Sequence, residues 1–291
     1  MGLSHPLEES GWAKGIGQEC MLELHYMFTE PFRLPLHTKL AEYYDILYNE
    51  KYQDDVDVIS WILKKHAKRE TKDVLDLMCG TGSHLLLLLE RGYNVVGVDA
   101  SKEMVEVAKM KLIGLNKEDL IRYGDVRELD INDKFDAVYC WFNSIQYFFQ
   151  NEELGRVLSN VHRVLREDGL FLVDMRNGSD FLSRVKQRMP ISRKVEKDGI
   201  DVISTTKNVE FEEHNKIATF HSEFIVNDKG NKFEVKESHS YRLLGKDEFS
   251  SFLRNSGFII ENIYGSSTEI NVPFNKQSDK MVFVASKGKC E

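Results

Sequence analysis

Cysteine is scarce in this chain of 291 residues, four in all, and none stands in a C-x-x-C pair or at metal-ligand spacing. That argues against a disulfide framework and the common zinc sites, and the simpler expectation is a reducing compartment, the cytoplasm. Cys79 and Cys140 fall near the ends of expected core strands, where a small buried filler is the favoured reading and a nucleophile the disfavoured one. Proline is also sparse, and three of the five lie within residues 1–35. No apolar run approaches the roughly 20 residues of a spanning helix, and no basic segment leads into a continuous apolar core. Positive charge is in deficit, 39 basic against 47 acidic residues for a net −8, which argues against a nucleic-acid backbone as the main partner. Internal repeats and low-complexity tracts are missing too. What remains, 42% hydrophobic and 30% charged residues, is an ordinary globular composition.

The stretch that organises the chain is VLDLMCGTGS, residues 74–83. Val74, Leu75 and Leu77 read as a buried strand, Gly80-Thr81-Gly82 as a tight turn, and the leucines at 85–89 as a helix that Gly92 stops. Glycines let the backbone approach a ligand, and the helix start offers unpaired N–H groups. A sugar or an adenosine tail suits such a place. A G-x-G turn alone is common to many nucleotide binders. Here, however, Asp76 lies inside the strand, and Leu85 stands where a nicotinamide dehydrogenase places its third glycine. A second strand over 93–98 ends in Asp99, at about the 20-residue distance of a ribose-binding acid. A third runs into Tyr123-Gly124-Asp125-Val126, where Asp125 could read an adenine amine.

With F-D-A-V at 135–138 and L-R-E-D-G at 165–169, these segments resemble the class I S-adenosylmethionine-dependent methyltransferases. The resemblance implies an α/β fold, a Rossmann-like sheet, with S-adenosyl-L-methionine as cofactor. It implies cofactor contacts from Asp76, Cys79, Gly80 and Gly82 at the first strand and turn, and from Asp99, Ala100 and Met104 after the second strand. Asp125 and Val126 follow the third and Trp141 the fourth. Asp99 suits both ribose hydroxyls, and Asp76 suits the cofactor ammonium or the ordering of the loop. An aromatic face from Trp141, Tyr44 or Tyr48 could stabilise the sulfonium, with core packing as the other reading of each. Methyl transfer is an in-line displacement that needs alignment and the exclusion of water rather than a metal, and no metal site is expected.

Residues 1–37 show no sustained period and are set apart as an N-terminal extension. From Thr38 the pattern turns helical, with Leu40, Tyr44, Ile46 and Leu47 near one face. Ala41, Tyr44, Asp45 and Tyr48 also match an A-x-x-Y-D-x-x-Y segment of the family, which implies a lid over the cofactor. An amphipathic helix with aromatic packing is the alternative. A helix over 56–67 follows. Ser101 reads as the N-cap of a helix to Lys111, and Asn151 as the cap of one carrying Leu154, Val157, Leu158, Val161 and Leu165. Strand five is expected at 169–173. Beyond it, 201–209, 216–226 and 232–241 read as antiparallel strands, with Ala218, Phe220, Phe224 and Val226 toward one side. A helix over 246–255 and strands over 258–264 and 280–285, the last antiparallel, complete the core. The core is thus 38–181 with 246–291, and 182–245 is an antiparallel β insertion after strand five that covers the substrate or forms an oligomer contact.

The acceptor is expected at the carboxyl ends of strands four and five. Phe142-Asn143-Ser144 and Val173-Asp174-Met175-Arg176-Asn177 resemble the glycine and sarcosine N-methyltransferases. That resemblance implies Arg176 as a carboxylate anchor, which a guanidinium fork can grip bidentately, and Asn143 as a contact near the amine. The insertion resembles that of amino-sugar N,N-dimethyltransferases, with His239 and Arg242 matching H-x-x-R. His239 or a tyrosine could take the amine's proton. Tyr44, Asn143, Arg176 and His239 are therefore the expected catalytic set. N-methylation of a small amine or amino acid is the leading activity. The alternatives are O- or N-methylation of a sugar or other metabolite, and a cofactor-binding partner subunit without its own chemistry. A small-molecule acceptor is the expected partner, a homo-oligomer is possible, and neither nucleic acid nor membrane is expected.

Overall fold

The computed structural model describes residues 35–48 and 52–288; residues 1–34, with Cys20, and Cys290 lie outside them. The strands β1 (Asp73–Leu77), β2 (Asn94–Asp99), β3 (Ile121–Tyr123), β4 (Phe135–Cys140) and β5 (Leu165–Arg176) are parallel neighbours. The insertion supplies β6 (Ile191–Lys197), β7 (Ile200–Glu212), β8 (Ile217–Asp228) and β9 (Asn231–Arg242), and the chain then returns as β10 (Phe258–Tyr264) and β11 (Lys280–Lys287). The large sheet has the order β10-β11-β5-β4-β1-β2-β3, with β11 antiparallel to both its neighbours. Strand order reverses between β1 and β4, which leaves a crevice at their carboxyl ends. Residues 170–175 of β5 are at most 2% exposed, as a strand covered on both faces must be.

The helices pack by the periodicity that the sequence announces. In α5 (Asn151–Val164) Leu154, Val157, Leu158 and Val161 are all fully buried. Each such side chain contributes about 1.5–3 kcal/mol by leaving water. Ser101 caps α4 (Lys102–Leu112) as expected, its hydroxyl accepting the Met104 N–H at 3.1 Å. Asn151 is not a cap. Gln150 holds that place, its N–H meeting Glu153 at 3.4 Å, while the Asn151 side chain accepts from Arg242 at 2.6 Å. The remaining helices are α2 (Tyr52–His66), α3 (Ser83–Glu90), α6 (Gly178–Arg188) and α7 (Lys246–Asn255).

β6 to β9 form a separate antiparallel sheet in sequence order. Ala218, Phe224 and Val226 are buried and Phe220 is partly so, as their alternation requires. The segment from Pro35 is not one continuous helix. It is a chain of short turns ending in α1 (Tyr44–Tyr48), because its groups are drawn to several surfaces at once. Leu36, Leu40 and Leu47 bury their apolar surface against Val202, Phe224, Val226 and Val235 of the antiparallel sheet, while polar groups of the same segment reach the large sheet. Among the described residues no helix is long and apolar enough to cross a membrane, and no three metal-ligating side chains cluster.

Candidate active site

At the carboxyl end of β1 the chain turns through Gly80 at φ +54° and Gly82 at φ +72°, a region that costs an ordinary side chain about 1 kcal/mol or more. The Gly80 N–H donates to Asp99 Oδ2 and the Ser101 N–H to Asp99 Oδ1, both at 2.8 Å. One carboxylate therefore ties the end of β2 to the glycine turn. A Cβ on Gly82 would lie 3.1 Å from that of Ala108, whereas one on Gly80 would meet nothing within 4 Å. Gly80 thus borders open space. Beneath it Asp76 is 2% exposed, and its Oδ2 has no hydrogen-bond partner among the described residues. Burial pushes its pKa up to about 7, although nearby His84 and Tyr139 pull the other way. A buried, unpartnered carboxyl oxygen under a glycine turn is complementary to a primary ammonium. These groups fit what S-adenosylmethionine offers: Asp76 would suit its ammonium and Asp99 its ribose hydroxyls.

The other expected cofactor residues occupy this rim with different freedoms. Met104 and Val126 are buried, and Ala100 is half-buried beside Asp99. Cys79 is buried, and burial pushes its thiol well above the usual range, so it packs and does not react. Asp125 caps its own turn through the Arg127 N–H at 2.8 Å and pairs with the Arg127 guanidinium at 2.6 Å. Trp141 belongs to the main core, its indole N–H donating to Asp55 at 3.0 Å. Its neighbour Phe142 instead meets Tyr48, with ring centroids 5.9 Å apart.

The lid motif is pinned where it crosses the glycine turn. Asp45 Oδ1 accepts from Thr81 Oγ1 at 2.6 Å, Ser83 Oγ at 2.9 Å and Tyr52 at 3.0 Å, and Oδ2 pairs with Lys111. Burial opposes ionisation of Asp45, but the Lys111 charge and these hydrogen bonds outweigh it and hold its carboxyl below the usual range. Upstream, the Ser101 hydroxyl donates to the His37 carbonyl at 2.6 Å. On the opposite side the Leu36 N–H reaches Glu237 Oε2 at 2.6 Å and Tyr43 reaches Asp228 at 3.1 Å. Residues 35–48 therefore bridge the two sheets.

The acceptor side follows from the ends of β4 and β5. Phe142 and Asn143 both have positive φ, +60° and +63°, and the Asn143 N–H is held by buried Asp174 at 2.9 Å. Lys280, on β11, pairs with Asp174 and donates to Asn143 Oδ1 at 2.5 Å. The Arg176 guanidinium lies 4.3 Å from the Phe181 ring and 5.4 Å from that of Tyr241, and its buried Nε has no hydrogen-bond partner among the described residues. Tyr241 stacks on His239 at 4.5 Å and on Tyr147 at 5.5 Å. His37 meets His239 at 5.9 Å and Tyr44 at 6.2 Å, and Tyr44 meets Tyr48 at 4.7 Å. Aromatic contacts thus run without a break from Arg176 through β9 and the lid to Phe142. Burial raises the pKa of Tyr44 and Tyr48 well above the ordinary tyrosine range, so both phenols are neutral.

Tyr44, His239 and Arg176 thus lie along one run of ring contacts, Asn143 meets Asp174 and Lys280 at the end of β4, and Asp76, Gly80 and Asp99 gather at the glycine turn. Sequence reasoning left out Lys111, Tyr147, Glu237 and Lys280. Asp45 and Asp174 stood inside motifs that were read for their neighbours.

A family model described as a methyltransferase domain matches residues 74–169. The putative methyltransferase YqeM of Bacillus subtilis (strain 168) is 28% identical over 220 residues, 74% of this chain and 84% of that protein. A glycine/sarcosine N-methyltransferase of Aphanothece halophytica is 30% identical over 158 residues, 49% of this chain and 59% of that protein. The crystal structure of an S-adenosylmethionine-dependent methyltransferase from Clostridium acetobutylicum ATCC 824 superposes with a TM-score of 0.72 at 23% identity. It covers 86% of this chain and 98% of that one, a likeness of fold.

Proposed function

We propose, for a chain that is a class I S-adenosylmethionine-dependent methyltransferase, that the acceptor is a small amine bearing a carboxylate, methylated on nitrogen by direct transfer. The observation that carries this reading is Arg176, a guanidinium at the end of β5 that is packed on aromatic faces. It makes no ion pair among the described residues, and its buried Nε lacks a partner. A planar cation so placed suits a carboxylate, which it can grip with two parallel hydrogen bonds. A lysine only donates, so Lys280 must face the Asn143 carbonyl oxygen and leave the amide NH2 for the acceptor. A donor there suits a second carboxylate oxygen and not the attacking nitrogen, whose lone pair has to stay free. This moves Asn143 from the amine to the carboxylate. When bound, S-adenosylmethionine supplies an electrophilic methyl on a sulfonium, and Tyr44, Tyr48 and Phe142 line the space with apolar faces that exclude water.

Titration of S-adenosylmethionine followed by glycine, sarcosine and amino sugars, on the wild type and Arg176→Ala, tests this reading. The expected result is unchanged cofactor affinity and about a 30- to 100-fold loss for amino acids in the variant, the scale of a lost bidentate charged contact. Best binding by an amine without a carboxylate, unaffected by the substitution, overturns the amino-acid reading.

A further inference from the structure

β9 carries Glu237, His239 and Tyr241 at alternate positions, on one face of the strand. Glu237 is 5% exposed and uses its two oxygens in different directions. Oε1 lies 3.1 Å from His239 Nδ1, while Oε2 accepts the Leu36 backbone N–H of the lid segment at 2.6 Å. The far nitrogen of His239, Nε2, lies 2.6 Å from the Tyr147 hydroxyl. An ionised carboxylate only accepts, so Nδ1 bears the ring proton and Nε2 accepts from Tyr147. The result is an unbroken carboxylate–imidazole–phenol line. At its phenol end the Tyr147 ring joins the same run of aromatic contacts, its centroid 5.8 Å from that of His37.

We propose that Tyr147 and His239 carry the acceptor's proton out of the site, and that Glu237 is the positioning residue that completes this path when the lid segment is docked. The acceptor ammonium gives one proton to the Tyr147 oxygen as Tyr147 passes its own to His239 Nε2, and Glu237 holds the imidazolium. The freed nitrogen lone pair then forms the new N–C bond as the methyl carbon's bond to sulfur breaks, its electron pair going to sulfur. The other titratable groups facing the relay are His37, Tyr44 and Tyr48, from the lid segment, and Tyr241, with Arg176 beyond Tyr241. Burial first, and the neighbouring His239 second, pull the His37 pKa down to about 4, so His37 stays neutral and the proton has one imidazole to reach. Because one carboxylate serves both Leu36 and His239, the relay is assembled over a covered site, where water cannot stand in as base.

The inference rests on the proposed amine acceptor, whose nitrogen must shed a proton, and the test separates the two. In the full chain with 15N-labelled histidine and saturating S-adenosylmethionine, the expected His239 signal is that of the Nδ1–H tautomer, with no acceptor present. Tyr147→Phe and His239→Gln are expected to lower kcat by about 100-fold at pH 7, the loss shrinking as pH nears the acceptor's own pKa. Glu237→Gln is expected to speed hydrogen exchange at the Leu36 amide and to lower kcat, with cofactor affinity unchanged. An Nε2–H tautomer, or losses that are the same at every pH, overturns the relay. Methylation of hydroxyl acceptors but no amine, with the relay variants slowed alike, overturns the amine reading and keeps the relay.

Discussion

The half of the site proposed for the cofactor is held mainly by the backbone, through the Gly80–Gly82 turn and the two N–H groups that Asp99 collects. The half proposed for the acceptor is held by side chains. Leu36 meets Glu237 across 201 positions, Lys280 meets Asp174 across 106, and Tyr147 meets His239 across 92. Backbone cradles leave few ways to vary and suit a ligand that does not change. Side chains on an inserted sheet can be exchanged without disturbing the main sheet. The difference explains how one half can serve a fixed cofactor while the other is fitted to a particular acceptor.

If the halves are separable, Asp99→Ala should weaken S-adenosylmethionine binding by about 100-fold, since it strands two N–H groups that had a charged partner. In the same titration Glu237→Gln and Arg176→Ala should leave cofactor affinity unchanged. An equal loss from the acceptor-side variants breaks the comparison. A smaller effect sharpens it through Asp76, whose pKa burial raises to about 7. The free chain favours the protonated form and an ammonium favours the ionised one, so cofactor affinity should fall by up to about tenfold per unit as pH drops below 7. Asp76→Asn should flatten that slope. The same shift makes the free chain lose stability as pH rises through about 7, so Asp76→Asn should raise the melting temperature more at pH 8 than at pH 5. The smallest effect is expected where the halves meet. Asp45→Ala removes the clip over the glycine turn while Lys111 keeps its bonds to Thr81 and Ser83. About a fivefold loss of cofactor affinity and faster proteolysis within residues 35–48 should follow.

How much could be read in advance divides along the same line. The glycine turn, the Asp99 strand end and the Ser101 cap are local patterns, and local sequence carries them. So do β7, β8 and β9, whose turns and alternation are explicit. β6 escaped notice because it lies at the sheet edge and most of its residues face solvent, leaving no apolar period to detect. The α6 helix has no sequence signal at its start, because it begins at Gly178, a poor helix residue. Residue type alone points to Asn151 as a cap, but Glu153 three residues after Gln150 is the better signal. Glu237 and Lys280 carry no motif. Each looks like one more surface charge until the fold brings it against its partner.

Lys280 has a consequence for synthesis. Asp174 is fully buried near the end of β5, and the cation that compensates it lies on the last strand. While a nascent chain still has β11 inside the ribosome, Asp174 has no counter-charge, and an unpaired buried carboxylate is costly enough to keep that end of β5 open. The glycine turn and the Asp99 strand end are built from residues made early. The Asn143 end of the site is set only when residue 280 arrives, so the two ends are completed at different times.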